Sequence, residues 1–286
     1  MGNLLLAKKR SSMVFAISVV IGYFVSTCVA LALSKIKYSV YIVQCVQPLL
    51  FIIISVVFAN KYGDGVKNTL FIKKFNPKYL LYAIATFVGL FFGIGYINQT
   101  IFYGADVGID ITISNWGDYL LYVLSLSIMP SLGEELLFRG VALFSLLAYV
   151  DRQDKNGFGI KNDILISLLI GVSFALFHKS VYQLIYQFFY GVALTLIVIR
   201  SGSIIPAIIM HLLNNLLILT VYFINPLLNL HNLPLCIIGV VVFLLAFFML
   251  TFSGSKNKNV KIDYECVLPY FVLCCAFSLT MLLLFI

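Results

Sequence analysis

Runs of Val, Ile, Leu and Phe, each long enough for a membrane-spanning helix and separated by short polar turns, fill nearly the whole chain. A bilayer core of roughly 30 Å needs about 20 apolar residues in a helix, and the pattern predicts nine such spans. They cover residues 12–34, 39–60, 79–101, 116–138, 163–180, 182–200, 203–223, 234–252 and 267–286, and the fourth has the composition to run on to Tyr149 as one long helix. The first span is too long for a cleaved signal peptide and lacks its small-residue exit. Between spans the polar stretches are too short to hold a soluble domain. The expected fold is therefore all-α, a polytopic membrane bundle of eight to nine transmembrane helices, with residues 1–286 as a single integral membrane domain.

Composition agrees: 62% of residues are hydrophobic and 10% charged, with a mean hydropathy of +1.05. Soluble domains average about 45–50% apolar and 25% charged. The net charge of +8 would suit nucleic acid, but its distribution points to the bilayer. With the N-terminus inside, the inner segments hold Lys8, Lys9, Arg10, Lys61, Lys67, Lys73, Lys74, Lys78, Arg152, Lys155, Lys161, Arg200, Lys256, Lys258 and Lys261. Only Lys35, Lys37 and Lys179 then lie outside, and the loop 102–115 has Asp106 and Asp110 without a basic residue. This is a positive-inside pattern. It predicts a cytoplasmic N-terminus, an outside C-terminus, a lipid partner and no nucleic acid, and it leaves the oligomeric state open.

Other short signals change little. The six cysteines (28, 45, 236, 266, 274 and 275) lie in or near apolar spans without a C-x-x-C pair, as small buried hydrophobes do. Asn98-Gln-Thr has the form of a glycosylation acceptor but falls at a membrane edge. Gly89-x-x-x-Gly93 has the spacing of a helix-packing motif.

"SLGEELLFRG", residues 131–140, breaks the apolar pattern. An acidic side chain at mid-bilayer costs roughly 2.5–3.5 kcal/mol on insertion scales, so an ionisable residue there points to function. Glu135 and Arg139 are four apart, acid before base, the favourable order for a helical pair. Glu134 points about 100° away and has no local partner. Two of the three histidines also lie in apolar spans: "FALFH" ends on His178, and "HLLNN" places His211 one turn from Asn215. His231 falls in a short polar loop and reads as surface.

A glutamate shielded from bulk water is a stronger base and can activate a water molecule. Two neutral imidazoles can orient that water or hold a divalent metal, and an amide such as Asn215 can donate to an oxyanion. These are parts of a hydrolase. Soluble H-E-x-x-H spacing is absent, so any metal site must be assembled across helices, and no Gly-x-Ser-x-Gly or Ser/Lys pair supports a serine mechanism. Counted at about 1.5 Å per residue from the inner ends, His178 falls deeper than His211; unequal helix starts or tilts are needed for them to meet.

The three motifs, Glu134-Glu135-Leu-Leu-Phe-Arg139, Phe174-Ala-Leu-Phe-His178 and His211-Leu-Leu-Asn-Asn215, stand in the order E-E-x-x-x-R, F-x-x-x-H and H-x-x-x-N. In this the chain resembles the CPBP intramembrane proteases, the CAAX-processing and bacteriocin-processing enzymes also called the Abi family. Gly191, Arg200-Ser-Gly-Ser-Ile and Pro206 agree with it as well. The resemblance implies a CAAX-protease-like catalytic core at 130–220, flanked by helices at 1–129 and 221–286.

It also implies roles: catalytic Glu134, His178, His211 and Asn215, with Glu135 and Arg139 in support. Any metal, Zn2+ if one is used, would sit on His178, His211 and Glu134. The implied activity is endopeptidase cleavage of a peptide, lipidated or membrane-protein substrate, expected at the cytoplasmic side. A compact chain rich in Lys, Asn, Ile and Phe further suggests a bacterial plasma membrane. Two other readings stay open: a non-catalytic scaffold or bacteriocin self-immunity protein of the same family, and a transporter using the same buried charges, which should show paired, interrupted helices.

Overall fold

The computed structural model describes residues 2–36, 39–102, 113–149, 159–224, 232–253, 260–262 and 264–283. The acidic loop with Asp106 and Asp110, His231, and the basic residues Lys37, Arg152, Lys155, Lys256 and Lys258 lie outside these ranges. Each expected span has its helix. In chain order these are α1 (Gly2–Leu33), α2 (Ser39–Lys61), a one-turn α3 (Gly65–Thr69), α4 (Lys78–Ile101) and α5 (Trp116–Leu146). There follow α6 (Gly159–Phe177), α7 (Leu184–Ser201), α8 (Ile205–Ile224), α9 (Leu233–Phe252) and α10 (Tyr264–Leu283). Among the described residues, seven of these helices are long and apolar enough to cross a membrane, and α6 and α10 hold shorter apolar segments, Asn162–Phe177 and Leu268–Leu283.

The chain is thus an all-helical integral membrane bundle. Its small exception is a ladder in which Leu147–Tyr149 (β1) pairs antiparallel with Val260–Ile262 (β2). It forms where the backbone leaves α5 in an extended conformation at Leu147. The fourth span does run on, to Leu146, and α1 starts well before residue 12. No more than half of any apolar window is buried within the protein. The rest faces outward, as a lipid solvent requires of helices whose backbone is satisfied internally.

Long-range contacts sort the helix ends onto two faces. On the first, which we call face A, Ser203 Oγ donates to Lys73 O (2.7 Å) and Ile204 N to Phe71 O (3.0 Å). There too Tyr79 Oη donates to Ser253 O (3.2 Å), and Arg200 pairs with Asp163 (2.9 Å). Face B joins the opposite ends: Tyr41 to Asp118 (3.2 Å), Asn98 to Tyr182 O (2.7 Å) and Tyr119 to Thr220 (2.9 Å). Lys61, Lys67, Lys73, Lys74, Lys78 and Arg200 all belong to segments on face A. Asn98, the sequence's glycosylation-like asparagine, is used to hold the α6–α7 hairpin tip.

Close helix contact comes from missing side chains at α4–α9. A methyl group on Gly89 would meet Phe243 N at 2.5 Å, one on Gly93 would meet Val240 N at 2.7 Å, and one on Gly239 would meet Gly93 N at 2.4 Å. The Gly89–Gly93 spacing is therefore a packing motif, and backbone-to-backbone approach of this kind suits association in lipid, where burial of apolar surface drives little. α4 carries a π-helical segment at Leu90–Ile94 beside these glycines, and α5 carries two, at Val123–Ile128 and Leu136–Ala142. Such turns loosen the regular hydrogen-bond ladder and recur at functional sites.

Candidate active site

Glu134 and Glu135 fall at the junction where α5 passes from α to π geometry. Glu135 points inward and is fully buried, as is Arg139. Arg139 Nη1 donates to Glu135 Oε1 at 2.8 Å, Nη2 to Gly191 O at 3.0 Å and Nε to Thr195 Oγ1 at 3.3 Å. The guanidinium also lies 4.3 Å from the centre of the Phe174 ring. A buried cation is tolerable when its hydrogen bonds and counter-charge are this complete. Its donors tie α5 to α7 through Gly191 and Thr195, which sit one turn apart.

Glu135 does more than pair with Arg139. The same Oε1 accepts from His211 Nδ1 at 2.8 Å. An acceptor-only oxygen there requires a proton on Nδ1, so the Nε2 lone pair of His211 points away from Glu135. His178 is fixed in the same sense, because its Nδ1 donates to the carbonyl of Phe174 at 2.8 Å. Both Nε2 atoms then face Glu134 Oε2, His178 from 3.9 Å and His211 from 4.0 Å. Glu134 Oε2 itself is buried without a hydrogen-bond partner.

Three lone-pair acceptors therefore converge with no donor between them. Separations near 4 Å are too long for a direct hydrogen bond and invite a bridging group. With both carboxylates ionised and both imidazoles neutral, Arg139 offsets one carboxylate and the site holds one negative charge in excess among the described residues. A proton-bearing or cationic occupant is what this geometry favours.

The donor types, two oriented imidazoles and a carboxylate, suit zinc. The spacing does not. Ligand atoms around a tetrahedral zinc with bonds near 2.0–2.1 Å stand about 3.3 Å apart, closer than the 3.9 and 4.0 Å found here. Consistent with this, no group of three or more His, Cys, Asp or Glu among the described residues could hold a metal ion. The distances suit a water molecule better.

His178 and His211 meet despite their different positions along their helices. His178 follows the last residue of α6, whereas His211 is in the second turn of α8. α6 begins at Gly159, earlier than the pattern indicated, and ends at Phe177, so that His178 lies just past its end. Phe174, Phe177 and Tyr190 seat them: Phe174 packs edge-on against both rings, Phe177 against His178 and Tyr190 against His211.

Asn215 is placed differently from the three converging groups. Its Nδ2 donates to Leu126 O at 3.1 Å, on the first π segment of α5, and its Oδ1 accepts from Asn214 at 3.1 Å. No hydrogen bond or ion pair joins it to Glu134, His178 or His211. It stands one turn beyond His211 toward face B, with one N–H uncommitted.

The site is closed toward face A. From Leu136 to Leu147 α5 is buried on every side. On the other side His178 is the most open of the three groups, with 18% of its side chain exposed against 12% for Glu134 and 4% for His211. His178 stands at the α6–α7 tip on face B. The charge pattern puts face B outside when the N-terminus is inside.

Sequence reasoning missed Thr195, Tyr186 and the Leu126 carbonyl. Thr195 is four residues from Gly191 and could have been found as its helical neighbour; a backbone carbonyl that accepts from another helix leaves no trace in residue identity. Asn214 was in view in the H-L-L-N-N run but carried no role.

Residues 116–217 match the family model described as type II CAAX prenyl endopeptidase Rce1-like. This match agrees with the CPBP and CAAX-protease resemblance of the three motifs, and it spans all six residues named above. By its description the matched family is one of prenyl endopeptidases. No curated protein and no solved structure gives a significant match.

Proposed function

We propose that this chain is an intramembrane endopeptidase that hydrolyses a peptide bond with water activated by Glu134. The observation that carries the reading is the unpartnered Glu134 Oε2 facing two imidazole nitrogens at 3.9 and 4.0 Å. A water molecule between them gives one proton to Glu134 while His178 or His211 accepts a hydrogen bond from the other. The hydroxide equivalent adds to the substrate carbonyl, and the uncommitted N–H of Asn215 donates to the oxygen as it gains charge. Collapse breaks the C–N bond, Glu134 passes its proton to the leaving amine, and a carboxylic acid and an amine depart.

Glu135 and Arg139 serve this chemistry by holding His211 in one tautomer and one orientation. The substrate is a peptide or membrane protein, lipidated or not, that unwinds to expose its backbone and approaches past His178 from face B. The natural membrane is that of a bacterial cell, by composition.

The test is cleavage by purified protein in liposomes, using peptides with and without a prenylated C-terminal cysteine and small membrane precursors, with products identified by mass. Peptide-bond hydrolysis that persists in the presence of a chelator is the expected result. Absence of cleavage across the set would refute the protease reading, and loss with chelator restored by Zn2+ would replace the water-only scheme. Labelling of a cysteine introduced at Tyr182, in a background whose native cysteines are changed to serine, reports which side of the membrane face B occupies.

A further inference from the structure

Beside the site, three side chains form a chain of hydrogen bonds whose direction is fixed from one end. It runs from Tyr186 Oη to Asn214 Oδ1 (2.6 Å), from Asn214 Nδ2 to Asn215 Oδ1 (3.1 Å) and from Asn215 Nδ2 to Leu126 O (3.1 Å). The carbonyl of Leu126 only accepts, so Asn215 must present its NH2 there. Asn215 Oδ1 then faces Asn214, which must answer with its own NH2. Asn214 Oδ1 is left toward Tyr186, whose hydroxyl must donate. Each amide has one arrangement that satisfies its neighbours, and a flip of either would set oxygen against oxygen.

The surroundings make the arrangement stiff. Asn214 is 2% exposed. Tyr186 stacks on Tyr190 at 5.8 Å with ring planes 16° apart, and Tyr190 in turn packs edge-on to His211. A buried network in which every member is satisfied rigidifies what it holds.

We infer that Asn214, backed by Tyr186, is a positioning residue that fixes the amide of Asn215 with an N–H, not its oxygen, available to the reacting carbonyl. This rests on the proposed hydrolysis. It assigns Asn214 a role that acts through Asn215 and nothing else. Asn214→Ala leaves Asn215 free to rotate. Asn214→Asp goes further, since a carboxylate accepts from both neighbours and favours the reversed Asn215 amide.

The experiment is a double-mutant cycle on kcat and KM, with thermal stability in detergent recorded for every variant. Asn214→Ala should lower kcat about tenfold, a coupling within the range seen for residues in one network, with KM unchanged. Asn214→Asp should lower it at least as much. In an Asn215→Ala background neither change should lower kcat further. Tyr186→Phe removes one hydroxyl, and hydrogen bonds of this kind in membrane proteins are modest, so about a threefold fall is expected; it keeps the cycle readable should Asn214 variants fail to fold. Equal losses in both backgrounds would show that Asn214 merely supports the helix and would overturn the inference. Wild-type protein that fails to cleave, or that cleaves no faster than Glu134→Gln, would remove the protease reading and the inference with it.

Discussion

Two helix contacts in this bundle are built by opposite means. Where α4 meets α9, glycines remove side chains until backbones touch, and among the described residues the polar side-chain contact at the glycines is the weak one from Cys236 Sγ to Gly93 O at 3.6 Å. Where α5 meets α7 and α8, polar side chains cross between helices: Arg139 to Gly191 O, Ser127 to Leu212 O, Asn215 to Leu126 O and His211 to Glu135. Both solve the problem that apolar burial drives little association in lipid. The first is a scaffold that carries no charge. The second binds its helices with groups that also face a reactive centre, and one of them, Glu134, is left without a partner.

The difference should separate loss of activity from loss of fold. The largest effect on the polar side is expected from the His178→Ala/His211→Ala pair, which removes both groups facing Glu134. Turnover should fall about 10^3-fold or more, near the upper range for acid–base residues, while yield and melting stay close to wild type. Next comes Arg139→Met, which strands Glu135 as a buried charge and should cost about 3–5 kcal/mol of stability. An Arg139→Met/Glu135→Leu double variant should recover much of that stability yet remain inactive, since His211 loses its anchor. Denaturant unfolding beside the cleavage assay reads both.

On the glycine side, Gly239→Leu should lower the melting temperature in detergent, with a cost of about 1–3 kcal/mol or more for overpacking a rigid contact, and the molecules still folded should cleave normally. A specific loss of turnover at full stability would erase the contrast between the two contacts. The smallest effect is expected from Tyr23→Phe. Tyr23 Oη donates to Phe177 O at the end of α6, and loss of one such bond in a membrane bundle averages about 0.6 kcal/mol.

Hydropathy made the fold legible, because each span must bury its backbone polarity in a helix of about bilayer length. The three polar motifs were legible for a related reason: few residues break such a pattern without a function. Which acid does which job was half visible. The i,i+4 spacing announced the Glu135–Arg139 pair, but not that the same Glu135 oxygen also orients His211. The position of Asn215 was hidden, since it depends on a backbone carbonyl of another helix, Leu126 O, and on its neighbour Asn214. Helix starts were hidden as well; a polar stretch before α6 gives no periodicity from which to read that helical geometry begins at Gly159.

The central claim is that Glu134 is the base and Glu135 the support, although they are adjacent and chemically identical. Glu134→Gln keeps the side chain's shape and removes its capacity to take a proton. The deciding measurement is the turnover of Glu134→Gln in liposomes against wild-type protein at matched yield and matched melting temperature. The account predicts a fall of about 10^2–10^4-fold with stability unchanged or raised, because an unpaired buried carboxylate has been neutralised. Turnover of Glu134→Gln at the wild-type rate would contradict it.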